Sequence, residues 1–492
     1  MPYLLRTDKI VFRGENEPYA SHHALGWTVN GPLSRPRKNF LCHKISVDRV
    51  FDIEKKIEQY FSHDFSDLHP DGKTLSQNDK MWYEKVSKSV TLLPNNHFEI
   101  DLPFTDSNVN FPNNRTQAIN RFTSTAKRLN KNPTLSADYT AFMNVMIERK
   151  FAERVPEEEL ETEPGKCWYL VHHGVYHKQK HKLRVVYNCS LKYRGVSLND
   201  KLQQGPDLTS SLFGVLQRFR EENVAVIGDI EKMYYQVRVP VHHSNFLRFF
   251  WFDELGNSCE YRLRVHVFGA KSSPSIANFA LKQTIVQNPD TSEETRNVIC
   301  SNFYVDDLLF SVADKLRAIN ITKEVINVIG SCGFNLTSFD SNYRDILSSS
   351  SQVAGVKSTH DVVNGATSEN RALGVLWNTE TDHLSFRVKP EIIPKALTRR
   401  EILAFVASVF DPLGTISPLF VKARRIFQET CRRKLNWDNE LPEDLQRSWK
   451  EWLSGIERLE EYHIPRCYKL SKAYLSVELH IFTDGSEVAY GA

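Results

Sequence analysis

Two adjacent carboxylates interrupt an apolar run, NFYVDDLLFSV, at residues 302–312. Asp306 and Asp307 repel each other, and partial burial in such a run penalises both anions. A second apolar stretch, AVIGDIEKMYYQV at residues 225–237, places Asp229 at the end of a predicted strand. A divalent cation removes the penalty of clustered carboxylates, and hard oxygen ligands suit Mg²⁺. The pattern therefore predicts a β-hairpin that presents its carboxylates to metal, or else a tight turn with two solvated aspartates.

The chemistry of three carboxylates separates these alternatives. Asp229, brought beside the pair from a neighbouring strand, would complete a site for two metal ions about 3.5–4 Å apart. Such a site can activate an attacking 3′-hydroxyl and stabilise the leaving pyrophosphate oxygen of an in-line displacement. An isolated Asp–Asp pair is more often a solvated turn, but the apolar flanks and the upstream D-I-x-x-x-Y favour the metal site here.

The composition is that of a folded protein. The 492 residues carry a formal net charge of +3, with 41% hydrophobic and 25% charged residues, which excludes disordered, collagenous and coiled-coil classes. At roughly 150 residues per domain, the length predicts about three domains. Every apolar run is shorter than the ~18 residues of a membrane span, and residues 1–11 lack the apolar stretch of a signal peptide. The eight cysteines form no C-x-x-C pair, so we expect a reduced, intracellular protein without a disulfide framework or zinc ribbon.

The order of local patterns predicts a mixed architecture. Short helices are expected over residues 46–84, a strand over 97–104, and two helices over 114–131 and 137–149, the first capped by Asn114. The exposed face of the 114–131 helix is basic and contains Arg115, Arg121, Lys127, Arg128 and Lys131. An acidic Pro/Gly loop follows, and short β-rich runs then alternate with helix-like stretches. This is an α+β pattern.

The motifs around the carboxylates resemble a known family. YVDD and the Asp229 segment are similar to the catalytic core of reverse transcriptases, and the chain resembles the pol polyprotein of BEL/Pao-type LTR retrotransposons over nearly its whole length. The blocks that carry this wider resemblance are LRVVYNCSLKYRGVSLNDKLQQGPDLTSSLFGVLQRFR at 183–220, VFGAKSSPSIAN at 267–278, GFNLTSFDSN at 333–342, LGVLWN at 373–378, TRREILAFVASVFDPLGTISP at 398–418 and LHIFTDGSEVAYGA at 479–492.

The resemblance implies a right-hand polymerase with fingers, palm and thumb, in which helices back an antiparallel palm sheet. The implied domains are a remnant of a retropepsin-like protease C-terminus with a linker at 1–38, a helical connector or N-terminal fingers extension at 39–165, fingers and palm at 166–390, a thumb or connection region at 391–474, and the truncated start of a ribonuclease H domain at 475–492. The implied function is RNA- and DNA-directed DNA polymerisation, which adds dNTPs to a primer 3′-hydroxyl by two-metal nucleotidyl transfer. The alternative is a decayed or co-opted fragment that binds nucleic acid without turnover.

Metal and nucleotide positions carry over from the family residue by residue. Asp229, Asp306 and Asp307 match the ligands of two Mg²⁺ ions, which Mn²⁺ can replace, and the Ile230 carbonyl matches a further ligand. Tyr234 matches the aromatic residue under the incoming sugar, whose ring would clash with a 2′-hydroxyl and so select dNTPs. The other implied nucleotide-binding residues are Arg184, whose guanidinium would clamp the triphosphate, and Lys182, Phe268 and Gly269.

The implied contacts to primer and template are Tyr304, Ser273, Pro274, Gly374 and Trp377. Ser273 and Pro274 belong to the segment that lies against the nascent base pair, and Gly374 is the turn of the hairpin that grips the primer end. Two basic surfaces would follow the phosphates of the duplex, or else be ordinary solvated helix faces. They are the 114–131 face and the cluster of Lys422, Arg424, Arg425, Arg432, Arg433 and Lys434.

The sequence departs from the family at Ser338 and Phe339, where a lysine followed by a tryptophan is usual, and at Asn188, where an acid is usual. A lysine there can protonate the leaving pyrophosphate, so its replacement leaves the polymerase rate open. Asp484 matches the first carboxylate of ribonuclease H, but we expect the other acids of that enzyme beyond Ala492, so hydrolysis of a hybrid has no support. The chain contains no D-T-G or D-S-G triplet, which excludes an aspartic peptidase and leaves a Pao retrotransposon peptidase label without chemical support.

The implied partners are an RNA or DNA template with its primer, dNTPs, and the protease, ribonuclease H and integrase parts of the polyprotein, with no membrane. The implied location is the cytoplasm, in a virus-like particle, or the nucleus. The run HHGVYHKQKH at 172–181 holds four histidines, but it lacks a suitably spaced cysteine or acid. It therefore predicts a strand rather than a zinc site.

Overall fold

The computed structural model describes residues 9–11, 19–23, 26–30, 75–176, 182–343, 345–346, 369–388, 397–469, 480, 483–485 and 490–491. The chain forms two compact units, Met1–Thr74 and Leu75–Ala492. The first unit contains an antiparallel sheet of β1 (Lys9–Val11), β2 (Tyr19–His23) and β3 (Gly26–Asn30). Most of the helices predicted over 46–84 lie outside the described residues, and the described part begins the second unit with α1 (Gln77–Ser89).

A four-stranded antiparallel sheet, in the order β12–β13–β9–β14, forms the centre of the second unit. Its strands are β9 (Val224–Ile230), β12 (Phe303–Tyr304), β13 (Asp307–Val312) and β14 (Leu336–Ser341). Alternate residues face two different cores, as the two-residue period of a strand requires. Val226 and Phe310 lie in one buried cluster, whereas Ala225 and Leu309 lie in another. The central sheet is therefore buried on both faces.

Helices pack on both faces of the central sheet. On one face lie α7 (Ser273–Gln287), α8 (Glu293–Ser301) and α9 (Lys315–Gly330), and on the other lies α5 (Leu212–Phe219). Val325 of α9 shares the buried cluster of Val226, and Phe219 of α5 shares the cluster of Ala225. The end of the central sheet at which β9 finishes and β13 begins therefore has rigid, packed support.

A third region surrounds a large aromatic cluster with a sheet in the order β10–β11–β6, the hairpin β7–β8 and two helices. The elements are α2 (Arg115–Lys131), α3 (Pro133–Glu148), β6 (Ala152–Arg154), β7 (Val171–Tyr176), β8 (Leu183–Asn188), β10 (Arg248–Phe252) and β11 (Ser258–Leu263). The two helices confirm the prediction. Asn114 does not cap α2 with its side chain, because its amide instead exchanges two hydrogen bonds with the backbone of Tyr169.

The C-terminal part combines a four-stranded antiparallel sheet, in the order β15–β16–β17–β18, with three helices. The elements are β15 (Glu369–Ala372), β16 (Val375–Asn378), β17 (His383–Ser385), α10 (Arg399–Ser408), α11 (Ser417–Arg432), α12 (Glu443–Ile456) and β18 (His463–Pro465). Trp377 of the sheet and Trp449 of α12 belong to the cluster that reaches Leu309 of the central sheet. One core therefore joins the C-terminal part to the central sheet.

The remaining α-helices and strands of the described residues are short. They are β4 (Thr91–Leu92), β5 (Phe98–Glu99), α4 (Leu198–Lys201), α6 (Val241–Ser244), β19 (Asp484–Gly485) and β20 (Tyr490–Gly491). The strand predicted over 97–104 is limited to β5, which is a correction. Every pairing between these named strands is antiparallel, and the chain is a mixed α/β protein, in agreement with the prediction. Among the described residues, no helix has the length and apolar character to cross a membrane.

Candidate active site

The three predicted aspartates meet at one end of the central sheet. Asp307, the first residue of β13, lies directly opposite Asp229 of β9. Asp306 occupies the two-residue turn between β12 and β13, and its carbonyl accepts a hydrogen bond from the Ile230 N–H at 2.9 Å. The structure therefore brings the three aspartates of two separate segments to the same end of the sheet, and their role as metal ligands stays a prediction.

Val305 gives this turn its shape. Its φ of +59° lies in the left-handed region, which a β-branched residue rarely adopts. The side chain packs against the buried cluster on the α7–α9 face of the sheet, and this packing holds the unusual backbone in place. Because glycine and asparagine are the usual signals for such a turn, the sequence offered no indication of it.

The electrostatics of the site oppose ionisation of the carboxylates. Burial and the neighbouring Asp306 carboxylate raise the pKa of Asp307 to about 6. Burial also raises the pKa of Asp306, while the charge of Arg184 acts in the opposite direction. Half-buried, mutually repelling carboxylates are a donor set that a hard divalent cation would neutralise. The chemistry of this donor set therefore fits a hard divalent cation, although oxygens of all three carboxylates do not lie within 4.8 Å of one another in this structure.

Two of the predicted nucleotide-binding residues, Arg184 and Tyr234, lie near Asp306. Arg184 projects from β8 into solvent and is close enough to influence the pKa of Asp306. Burial and the Asp306 charge both raise the pKa of Tyr234. The ring of Tyr234 lies 4.4 Å from that of Phe268, centroid to centroid, and Phe268 is 44% exposed. A guanidinium and a phenol thus lie near Asp306, and an exposed aromatic ring lies beside the phenol.

Lys182 has weaker support as a nucleotide ligand. It is exposed and precedes β8. Burial and the charge of Arg149 are the main causes that lower the pKa of Lys232, and the charge of Lys182 adds a smaller effect in the same direction. Lys182 therefore lies near Lys232, which precedes Tyr234 in the chain.

Gly269 allows a close backbone approach beside Phe268. Its φ is +107°, and a Cβ at this position would lie 2.6 Å from the carbonyl oxygen of Tyr187, at the end of β8. The Asn199 side-chain amide donates to the Gly269 carbonyl at 2.9 Å. Gly269 therefore connects the Phe268 loop tightly to the strand of Arg184.

Replacing Gly269 with alanine is expected to destabilise the protein by about 2–3 kcal/mol, because both the positive φ and the backbone clash oppose a side chain. Chemical unfolding followed by tryptophan fluorescence measures this loss. Gly256→Ala is the matched control, since its φ of +80° is similar but no atom lies within 4 Å of the added Cβ. An equal loss in the two variants would show that the Tyr187 contact contributes nothing.

Two predicted primer and template contacts are corrected by their burial. The Ser273 side chain is 0% exposed and donates to the Val267 carbonyl at 2.8 Å, so it cannot reach a template. Trp377 is also 0% exposed, and its indole N–H donates to Asp382 at 2.9 Å. Both side chains support the positions of their neighbours rather than contact nucleic acid.

The other primer and template predictions lie at accessible places. Pro274 is exposed at the start of α7, and Tyr304 is half-buried beside the carboxylates. Gly374 lies in the turn between β15 and β16 with a φ of +90°, and a Cβ there would lie 2.9 Å from the Phe410 ring. The half-exposed Phe410, which the sequence did not single out, therefore supports this turn from the α10–α11 loop.

Two of the three departures from the family, Ser338 and Phe339, lie in β14 close to Asp229, whereas Asn188 ends β8. Thr337 pairs with Asp229, and a register shift follows it in β14, where exposed Ser338 has a φ of +54°. Phe339 is buried, and its ring would meet a Cβ at Gly228 at 3.2 Å. Ser338 thus occupies a bulge near the site, and Phe339 fills the core under it.

Two histidines outside this site, His172 and His243, are held by hydrogen bonds, while His177 and His181 of the predicted strand lie outside the described residues. His172 is buried, with its Nδ1 2.5 Å from the Tyr139 hydroxyl and its Nε2 2.9 Å from the Phe250 carbonyl oxygen, and burial lowers its pKa to about 4. Among the described residues, one His/Asp set has metal-ligand spacing: Asp101, His242 and His243. The Leu102 N–H donates to Nδ1 of His243 at 3.1 Å, so the lone pair that faces Asp101 is already in use.

The two predicted basic surfaces differ in how many charges are available. On α2, Arg115 is paired with Glu260, while four further cations are exposed: Arg121, Lys127, Arg128 and Lys131. In the 422–434 cluster, Lys422, Arg432 and Arg433 each pair with a carboxylate. The α2 face is therefore the stronger candidate for phosphate contacts.

Comparisons with known proteins support a retroelement relationship for the C-terminal part. Residues 398–492 match a family model described as the Pao retrotransposon-like RNaseH-like domain. This range includes α10 to α12 as well as Asp484, and the description concerns ribonuclease H rather than a peptidase. No curated protein sequence matches the chain.

Two solved structures are similar to the chain at low identity. A foamy viral protease-reverse transcriptase, dRH, in complex with double-stranded DNA is 13% identical, with a TM-score of 0.43, and the match covers 89% of this chain and 69% of that one. The foamy viral protease-reverse transcriptase in complex with an RNA/DNA hybrid is 11% identical, with a TM-score of 0.42, and covers 90% and 52%. TM-scores below 0.5 do not establish a common fold, so the functional argument rests on the residues of the site.

Proposed function

We propose that the chain is a reverse transcriptase, an RNA- and DNA-directed DNA polymerase of a retrotransposon of the BEL/Pao type. The observation that carries this proposal is the meeting of Asp229, Asp306 and Asp307 at one end of an antiparallel sheet, with Arg184 and Tyr234 beside them. The central sheet and α7–α9 correspond to a palm, the β7–β8 region to fingers, and α10–α12 to a thumb or connection region. The family match of residues 398–492 agrees with a retrotransposon origin.

The metal-binding residues in this proposal are the three aspartates, with the Ile230 carbonyl as a further oxygen ligand. Two Mg²⁺ ions bound there would activate the primer 3′-hydroxyl and neutralise charge on the leaving pyrophosphate. Binding of the cations would also keep Asp306 and Asp307 ionised, against the burial that raises their pKa values. Mn²⁺ has the same preference for oxygen ligands and can replace Mg²⁺.

The residues of the chain bind and orient the other reactants. The exposed guanidinium of Arg184 can bind triphosphate oxygens through two N–H groups, and Lys182 can add a point charge. Tyr234 lies under the sugar of the incoming nucleotide, where its ring excludes a 2′-hydroxyl, while Phe268 supports its other side. The cations of α2 contact phosphates of the template–primer duplex without reading its sequence.

The remaining predictions stay part of this proposal. The template is RNA or DNA with a primer, and the other parts of the polyprotein (protease, ribonuclease H and integrase) are partners. The protein acts in the cytoplasm, in a virus-like particle, or in the nucleus. Residues 475–492 begin the ribonuclease H domain, in which Asp484 of β19 is the first carboxylate.

Primer extension on poly(rA)/oligo(dT) with Mg²⁺ tests the proposal. We expect the wild-type chain to extend the primer and Asp306→Asn/Asp307→Asn to reduce the rate by at least ~10³-fold, because several kcal/mol of charge stabilisation are lost. Asp290→Asn, an exposed aspartate between α7 and α8, is the control and should leave the rate unchanged. Extension by the wild type no faster than by the double variant would refute the polymerase and favour binding without turnover, which hybrid-binding anisotropy would then measure.

Replacing Tyr234 with alanine should relax sugar selection. Without the ring, the clash with a 2′-hydroxyl disappears, and we expect the preference for dTTP over UTP, as the ratio of kcat/KM values, to fall roughly 10–100-fold. Tyr234→Phe keeps the ring and should preserve the preference. Unchanged selection in the alanine variant would place the discriminating contact elsewhere.

A further inference from the structure

The strand β18 closes the sheet that contains the Gly374 turn, although it follows all three C-terminal helices. It pairs with β17 through Leu384 and Ile464. Arg466, the residue that follows β18, has a fully buried side chain with 0% exposure. A buried arginine is costly unless each of its donors is satisfied, so its partners indicate what the residue does.

All five N–H groups of the Arg466 guanidinium donate hydrogen bonds at 2.6–2.9 Å. Two of them bind the Asp382 carboxylate in bidentate geometry. The other three bind the backbone carbonyls of Phe219, Glu222 and Asn223. Because the guanidinium has five donors, its hydrogen-bonding capacity is fully used.

The partners of Arg466 belong to two different parts of the molecule. The carbonyls come from the last residue of α5 and from the connection between α5 and β9, the strand that contains Asp229. Asp382 lies in the turn between β16 and β17, where its φ is +54°. The Asp382 carboxylate also accepts hydrogen bonds from the Trp377 indole at 2.9 Å and from the Asn342 amide at 3.2 Å. Arg466 thus connects the start of β9, at the opposite end of the strand from Asp229, to the sheet that contains the Gly374 turn.

Arg220 makes a reciprocal connection. Its guanidinium donates to the carbonyls of Arg466 and Pro465, both at 3.0 Å. It also lies 4.1 Å from the centroid of the Tyr468 ring. Arg466 thus binds carbonyls at the α5–β9 connection, and Arg220 of that connection binds carbonyls of the chain that follows α12. The two segments are therefore joined by hydrogen bonds from each to the other.

We propose that Arg466 is a positioning residue that sets the distance between the Gly374 turn and the catalytic aspartates, so that a primer held by the turn presents its 3′-hydroxyl to Asp229. This inference rests on the proposed polymerase function. It adds that a residue within the segment matching the RNaseH-like family model serves polymerisation. Displacements of about 1 Å are enough to slow reactions that depend on orientation.

Lysine cannot replace this arginine. An ammonium group has three donors and no planar fork, so at least two of the five acceptors would lose their partner. Each buried acceptor that loses its partner destabilises the present packing of β9 against the β15–β18 sheet by about 1–3 kcal/mol. The sheet of β15 to β18, with its Gly374 turn, would therefore move or fluctuate relative to β9.

Hydrogen exchange and primer extension together test the inference, with Arg466→Lys and the isosteric Asp382→Asn as variants. We expect amides of residues 369–378 to exchange at least tenfold faster in both variants. We also expect KM for primer–template to rise and kcat to fall, by about tenfold together, while KM for dNTP changes less than twofold. Arg458→Lys, on the exposed surface after α12, is the matched control and should leave all values unchanged.

The outcomes separate this inference from the proposed function. Unchanged exchange and unchanged kinetics in either folded variant would overturn the positioning role. A variant could instead lose activity only because less of the protein is folded and active. The rate would then fall in proportion to the active fraction measured by active-site titration, with both KM values unchanged, and this result would also overturn the positioning role. If the wild type extends no primer, the polymerase proposal fails, and unchanged affinity of both variants for a primer–template hybrid would then overturn the positioning role independently.

Discussion

Replacing Asp307 with asparagine is expected to stabilise the metal-free protein while abolishing primer extension. Burial and the nearby Asp306 carboxylate raise the pKa of Asp307 from 3.8 to about 6, so the folded protein bears the cost of ionising it at neutral pH. Allowing for partial exposure, removal of that charge should raise the free energy of unfolding by about 1–3 kcal/mol. Chemical unfolding at pH 7 in the presence of a chelator measures this gain.

The gain should depend on pH in a defined direction. Well below pH 3.8 the Asp307 carboxyl is protonated in both the folded and the unfolded chain. The free energies of unfolding of the wild type and Asp307→Asn should therefore change equally with pH in this range. Between about pH 4 and 6 the Asp307 carboxyl is ionised in the unfolded chain but still largely protonated in the folded chain, because its pKa is raised in the folded state. The wild type should therefore lose stability relative to the variant across this window, and the difference should be constant above it.

Mg²⁺ should reverse the order of stability. A cation that binds the folded wild type stabilises it in proportion to the logarithm of its concentration above Kd, whereas the variant lacks one ligand. Asp290→Asn is the control for loss of an unpaired surface charge and should show neither effect. A wild type more stable than Asp307→Asn without metal at pH 7 would contradict the electrostatic account of this site.

The carboxylate site could be predicted because its signal is local. Asp306 and Asp307 conflict with the apolar residues around them, and such a conflict within a strand pattern marks a functional site. Asp229 lies near the end of β9, where it likewise interrupts an apolar run. The alternation of Leu308 and Leu309 between two cores also follows from the two-residue period of a strand.

The burial of particular side chains could not be predicted, because it depends on partners distant in the chain. Trp377 resembles an exposed aromatic of a hairpin, but it lies in the C-terminal core and binds Asp382. Asn114 stands at the correct position for a cap, yet Tyr169 offers its amide two hydrogen bonds. Arg466 looks like a solvated charge in the sequence HIPRCYK, and only β18 pairing brings it into the interior.

Replacing Arg248 with methionine should cause one of the largest losses of stability in the described part of the chain. Arg248 begins β10 with a fully buried side chain that pairs with the buried Glu260 at 3.1 Å. It also donates to Asn245 and to the carbonyls of Glu159 and Leu160. Removing one partner of a buried ion pair costs about 3–5 kcal/mol. We expect about 3 kcal/mol, since other groups still contact Glu260.

The surface pair of Arg400 and Asp438 is the matched control. It is also bidentate, at 2.7 and 3.1 Å, but both side chains are exposed. Solvent screens such a pair, so Arg400→Met should cost no more than about 1 kcal/mol. Comparing the two variants by urea unfolding of the full chain separates the effect of burial from that of losing a guanidinium.

A double-variant cycle tests whether the loss arises from the charge left behind. Glu260 retains hydrogen bonds from Arg115 and Tyr169 at 2.8 and 2.9 Å, so Glu260→Gln should be tolerated better than Arg248→Met. If the buried charge of Glu260 without Arg248 is the main cost, Arg248→Met/Glu260→Gln should lose at least 1 kcal/mol less stability than the sum of the single variants. Additive losses would instead assign the effect to the carbonyls of Glu159 and Leu160, and therefore to the acidic loop that Arg248 holds against β10.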